Sequence, residues 1–118
     1  MFTTPKRVEK PWGFEIWFAH TEKYVGKLIH VNAEQQLSLQ YHEKKDETMY
    51  CLNGTAILIY EQDGKLVEEV FKPGTSFRIP PGTKHRLKSG KQACEILEAS
   101  TPEVDDVIRL QDDYGRTS

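Results

Sequence analysis

Gln40 and His42 stand two residues apart in Leu37-Ser38-Leu39-Gln40-Tyr41-His42, and Glu43, Asp46 and Glu47 follow directly. In an extended strand successive side chains alternate between faces. Ser38, Gln40 and His42 therefore share one face, and Leu37, Leu39 and Tyr41 the other. An amide and an imidazole on one face, with carboxylates close behind, read as part of a metal cage rather than a solvated surface. An amide oxygen is a neutral ligand. It leaves more residual charge on an ion than a third imidazole would, which favours Lewis-acid work on substrate oxygens.

Such a set needs a rigid frame, and the chain supplies the signals of a β frame. Strands are expected at 14–19, 24–31, 37–42, 48–52, 55–60, 66–71, 76–79, 85–88, 93–99 and 107–110. Residues 1–13 read as a polar N-terminal arm that enters the fold at Trp12. Asn53-Gly54 and Asp63-Gly64 predict two hairpin turns, and Lys72-Pro73-Gly74 and Pro80-Pro81-Gly82 two more breaks. No segment keeps a helical period. Short strands punctuated by Gly, Pro and Asn-Gly every ~8–12 residues predict an all-β sandwich or barrel. Within 24–31, Lys27 shares a face with Val25, Ile29 and Val31; turned inward it is a base or an anion anchor, turned to the rim a snorkelling stem.

Bulk properties narrow the classes. A length of 118 residues suits one domain spanning 1–118. A net charge of −2, from 16 basic and 18 acidic residues, argues against a general nucleic-acid or membrane partner. Cys51 and Cys94 have no metal-type spacing and read as small buried thiols of a reducing compartment. There is no apolar run of ~20 residues and no signal-like start, so a cytoplasmic location is the expectation.

Two patterns in order then carry a resemblance. The first is Gln40, His42, Glu47 and Gly54; the second is Gly74, five residues, Pro80-Pro81-Gly82, two residues and His85. Together they resemble the two motifs of the cupin superfamily, with Gln40 standing where the first histidine usually is. The resemblance implies a cupin double-stranded β-helix (jelly-roll barrel). It also implies one divalent metal ion held by Gln40, His42, Glu47 and His85, zinc first, with Mn, Fe, Ni or Co as alternatives.

On a longer reading, Lys10-Pro11-Trp12-Gly13, Lys23-Tyr24-Val25-Gly26-Lys27, Leu37 to His42, Ile79 to Leu87 and Asp105 to Arg116 resemble the type II phosphomannose isomerase domain. That domain is the C-terminal part of bifunctional mannose-6-phosphate isomerase/mannose-1-phosphate guanylyltransferases. Its first motif usually runs Gln-x-His-His-His-Arg-Ala-Glu. Gln40, His42 and Glu47 match, whereas Glu43 to Asp46 depart, with Lys44 and Lys45 keeping positive charge. Type I phosphomannose isomerases, which bind zinc through a Gln-x-His pair, a Glu and a His, place Gln40 among the ligands.

The implied activity is a metal-dependent, stand-alone sugar-phosphate isomerase. It interconverts mannose-6-phosphate and fructose-6-phosphate by cis-enediol proton transfer. This chemistry needs a base, an oxyanion stabiliser and a phosphate anchor. Arg86 matches an arginine of the motif and is expected at the phosphate or oxyanion. Lys27 and Glu98 are the other catalytic candidates, and Lys44 and Arg109 join Arg86 as candidates for substrate binding. A homodimer through the N-terminal arm is expected. The competing reading is a non-catalytic sugar- or sugar-nucleotide-binding cupin, for which the departures at Glu43–Asp46 speak.

Overall fold

The computed structural model describes residues 1–116, and no helix occurs among them. Nine strands run in chain order: β1 (Lys6–Lys10), β2 (Gly13–His20), β3 (Val25–Val31), β4 (Leu39–Tyr41), β5 (Glu47–Gln62), β6 (Lys65–Phe71), β7 (Ser76–Ile79), β8 (His85–Ser100) and β9 (Ile108–Gln111). All pairings are antiparallel, and β5 and β8 are the spine on which the sheet curls. The first part of β5 lies between β7 and the far part of β8, with Glu47 opposite Ser100 and Cys51 opposite Ile96. Its second part lies between β6 and the near part of β8, with Ala56 opposite Ser89 and Tyr60 opposite His85. One wall is therefore β1-β2-β3-β8-β5-β7 and the other is β6-β5-β8-β4-β9. This is the all-β cupin jelly roll, and its core includes Trp12, Ile29, Met49, Leu58, Ile79, Leu87 and Ile96.

The bend has a local cause. Register shifts in β5 fall between Cys51 and Asn53 and between Gly54 and Ala56. Gly54 has φ +88°, and a Cβ there would lie 2.0 Å from the Ala93 carbonyl oxygen. The expected Asn53-Gly54 hairpin is thus a β-bulge inside one continuous strand. For the same reason the expected strands 85–88 and 93–99 are one strand, β8. The Asp63-Gly64 turn does close a hairpin, between β5 and β6, with both residues at positive φ as a type I′ turn requires.

Two further expectations are corrected. The arm joins the sheet before Trp12: Lys6–Lys10 pairs in register with β2, Lys6 opposite Trp17. The regular part of 37–42 is only Leu39–Tyr41, so strict alternation does not reach back to Leu37, which borders the interior beside Ser38 and Gln40. Cys51 and Cys94 are free and buried. Burial, with Cys51 nearby, pushes the Cys94 thiol up to about 12. No described helix is long and apolar enough to cross a membrane.

Candidate metal centre

The two walls bring ionisable groups together at one end of the barrel interior. Gln40, in β4, pairs with His85, the first residue of β8. His42 ends the same segment, and Glu47 opens β5 after a loop. His42, Glu47 and His85 are each 3% exposed, and each offers a ligand atom within 4.8 Å of the others. Glu47 Oε1 lies 3.2 Å from His85 Nε2 and 3.6 Å from His42 Nε2. Gln40 lines one cavity together with His42 and a second together with His85 and Glu47. Its Oε1 accepts a hydrogen bond from Ser38 Oγ at 2.7 Å.

The tautomers follow from the outer hydrogen bonds. His85 Nδ1 donates to the Thr83 carbonyl at 2.8 Å, and His42 Nδ1 donates to the Asp106 carbonyl. A carbonyl only accepts, so both protons sit on Nδ1 in the neutral rings and both Nε2 lone pairs point inward. His42 Nε2 is buried with no hydrogen-bond partner. Two imidazole acceptors therefore face a carboxylate acceptor, an arrangement that calls for a cation between them. The residues fit a divalent ion, with the outer carbonyls orienting both rings.

A second layer of charge adjoins this one. Lys45 is 5% exposed, and its Nζ lies 3.0 Å from Glu47 Oε2 and 3.1 Å from Glu98 Oε2. Apart from this ion pair, Glu98 Oε2 has no hydrogen-bond partner. Burial would lower the Lys45 ammonium, but Glu98 and Glu47 outweigh it and hold it above its ordinary value. Burial would raise Glu47, yet the close His42 and His85 rings and the Lys45 charge bring it well below its ordinary value. Glu98 goes the other way. Burial first, then the Glu47 charge, push it up to about 7 against the pull of Lys45 and Lys27.

The cavity above the cluster measures about 80 Å³, and cations crowd its wall: Lys10, Lys27, Arg109 and Arg116. Lys27 is held 3.6 Å from Glu15 Oε1, with its Nζ 4.6 Å over the Trp17 ring. Burial, together with Lys27, Arg116 and Arg109, lowers the Lys10 ammonium against the pull of Glu15. Burial and Arg116 likewise lower Arg109.

Gln40, His42, Glu47 and His85 are thus brought together, with Glu98, Lys27 and Arg109 in the cavity wall. Arg86 is not among them. His85 and Leu87 turn inward, so Arg86 turns to the opposite face of β8, where Nε donates to the Leu37 carbonyl at 2.8 Å and a terminal nitrogen to Gln111 at 3.2 Å. It ties β9 to the barrel and is not among the residues that line the cavity. Lys44 is also displaced. It is exposed on a loop whose amides at Glu43, Lys44 and Lys45 all donate to the Asp106 carboxylate, at 3.0, 2.7 and 2.9 Å. Burial would raise that carboxyl; the three amides hold it below its ordinary value. The loop path rests on backbone donors, so it does not depend on which side chains occupy 43–45. Lys45 and Glu15 were missed. Lys45 stands at the same parity as Glu47, and Glu15 at the same parity as Trp17, beside Lys27 across the strand pair.

Comparison with known proteins identifies the lineage. The family described as mannose-6-phosphate isomerase, C-terminal, matches residues 2–112. The xanthan biosynthesis protein XanB of Xanthomonas campestris is 33% identical over 98% of this chain, which covers 25% of that protein. A mannose-1-phosphate guanylyltransferase of Escherichia coli is 34% identical over 94% of this chain, covering 23% of the enzyme. The chain spans about a quarter of the length of these relatives. Among solved structures, oxalate decarboxylase of Bacillus subtilis superposes with a TM-score of 0.79 at 15% identity, over 90% of this chain and 30% of that one. KdgF from Halomonas gives 0.69 at 19% identity, over 87% and 91%. These likenesses establish the shared fold. The chain belongs to the mannose-6-phosphate isomerase C-terminal family.

Proposed function

We propose that this domain is a metal-dependent sugar-phosphate isomerase that interconverts mannose-6-phosphate and fructose-6-phosphate. The observation that carries the reading is the inward convergence of His42 Nε2 and His85 Nε2 on Glu47 Oε1, beneath a cavity walled by cations. Gln40, His42, Glu47 and His85 would hold the ion, with zinc first among the candidates. Once bound, a divalent ion supplies Lewis acidity to the oxygens on C1 and C2 of an open-chain sugar.

The chain's own residues supply the rest. Glu98, buried and with one oxygen lacking a donor, removes the C2 proton of the aldose and returns it to C1. Meanwhile O1 gains a proton and O2 loses one, so the product is the ketose with no net change in protons. Lys27 stands in the same wall and stabilises negative charge developing on oxygen. Arg109, with Lys10 and Arg116, suits the phosphate ester, because an anion relieves the mutual repulsion of these crowded cations. The enclosed position of the cluster limits water at the reacting carbons.

The test is metal analysis by mass spectrometry of purified protein, followed by a coupled assay over a panel of hexose phosphates with and without chelator. Interconversion that chelator and His85→Ala both abolish is expected. Metal-loaded protein that turns over no hexose phosphate refutes the activity, and saturable binding without turnover replaces it with a sugar-binding role.

The proposal includes a homodimer. Ile16, Leu28, Leu97 and Tyr50 are register partners across β2, β3, β8 and β5 on the outer face of one wall. Tyr50 is exposed there with Phe18 and Leu52, and Ile16, Leu28 and Leu97 are half-buried, an apolar surface of the kind that marks association sites. Sedimentation of wild type and Leu97→Glu decides it: wild type sedimenting as a monomer refutes the dimer, and a dimer unaffected by Leu97→Glu moves the interface elsewhere.

A further inference from the structure

We propose that Lys45 is a positioning residue that divides two neighbouring carboxylates into a metal ligand and a free base. The inference rests on the metal reading above and deepens it. Lys45 Nζ sits between Glu47 Oε2, at 3.0 Å, and Glu98 Oε2, at 3.1 Å. All three side chains are buried, at 5%, 3% and 5% exposure. The ammonium occupies one oxygen of Glu47, so only Oε1 is presented to His42 and His85, and Glu47 serves as a one-oxygen ligand. The same ammonium holds Glu98 on its far side. Glu98 enters from β8 opposite Met49, two residues along β5 from Glu47, which is a diagonal neighbour within side-chain reach. Without the cation, the second carboxylate is left to turn toward a dipositive ion, because Glu98 Oε2 has no other hydrogen-bond donor to hold it. Lys27, opposite Glu98 across the β3–β8 pair, is engaged by Glu15 and stacked over Trp17.

The geometry also explains why the role falls to 45. The Asp106 carboxylate fixes the amides of Glu43, Lys44 and Lys45, which sets the loop so that Lys44 faces solvent and Lys45 turns inward. A point charge on a flexible stem suits a seat between two oxygens that belong to different strands.

The test uses the cobalt(II)-substituted protein. The intensity of its visible ligand-field bands reports coordination number, high at four and lower at five or six. Wild type, Glu98→Gln, Lys45→Met, the Lys45→Met/Glu98→Gln double variant and Lys45→Arg are compared. Glu98→Gln is expected to leave the spectrum of the wild type unchanged, since Glu98 is held off the ion. Lys45→Met is expected to lower the band intensity by roughly two-fold or more as a carboxylate oxygen joins the ion. Removing Glu98 in that background restores the intensity, and Lys45→Arg keeps it. A spectrum altered by Glu98→Gln alone overturns the proposal, as does a Lys45→Met spectrum equal to that of wild type, or a Lys45→Met change that survives Glu98→Gln. Should Lys45→Met not fold, Glu98→Gln and Lys45→Arg decide, because either one shifting the bands refutes the division of roles. Wild-type protein that binds no cobalt refutes the metal reading itself, an outcome separate from these.

Discussion

Replacing Glu98 by Gln in metal-free protein should flatten a pH dependence of stability that the wild type shows. Glu98 is buried, and its carboxyl is raised from an ordinary value of 4.5 to about 7, by burial first and by the Glu47 charge second. A raised carboxyl binds its proton more tightly in the folded state than in the unfolded chain. Its stabilising contribution is therefore complete below 4.5 and is lost as pH climbs through 7. At ~1.36 kcal/mol per pH unit the whole passage amounts to about 3 kcal/mol, most of it between pH 5 and pH 8. Gln keeps the shape of the protonated acid and carries no proton to lose. The stability of wild type should thus fall by about 2–3 kcal/mol relative to Glu98→Gln between these two pH values. Urea unfolding of chelator-treated protein measures it. With a slope of ~1–3 kcal/mol/M, the gap between the two midpoints should change by roughly 1–3 M. A gap that stays constant within ~0.5 kcal/mol would mean that Glu98 is ionised throughout, and the account of the Lys45–Glu47–Glu98 cluster would fail.

Three further outcomes are expected. His42→Ala and His85→Ala each remove a buried inward Nε2, and each should cost at least ~100-fold in affinity for a divalent ion, measured by competition with a chelating dye; unchanged affinity would move the site elsewhere. Gly54→Ala places a Cβ 2.0 Å from the Ala93 carbonyl at φ +88°. It should cost on the order of 1–3 kcal/mol or more in urea unfolding, and a neutral substitution would contradict the bulge. Arg86→Met loses two donated bonds to the Leu37 and Gln111 carbonyls. It should lower stability by about 1.5–3 kcal/mol while leaving the KM for a hexose phosphate unchanged, and a KM raised ~10-fold or more would restore Arg86 to the substrate.

Local rules made part of this protein legible. The two-residue spacing of Gln40 and His42 needs only strand alternation, and Asp63-Gly64 needs only the cost of positive φ. The spacing of Gly74, Pro80, Gly82 and His85 is likewise a local pattern, and it pointed to the family before any tertiary contact was known. Other features depend on partners distant in the chain. Asn53-Gly54 has the chemistry of a hairpin turn, but β8 continues alongside it, so the same glycine relieves a close approach to Ala93 and bends the strand instead. Lys44 has the parity of His42 on paper. The Asp106 carboxylate, some sixty residues away, takes three successive amides and breaks that parity, turning Lys45 inward in its place. Arg86 adjoins a candidate ligand in sequence, and the alternation that turns His85 inward is what sends Arg86 outward. Residue types and short spacings determined which chemistry this chain can hold. Packing of β5 against β8 and the seating of the 102–107 loop decided which charges face it, because burial and charge pairing are set by the strands that meet and not by the residues that adjoin.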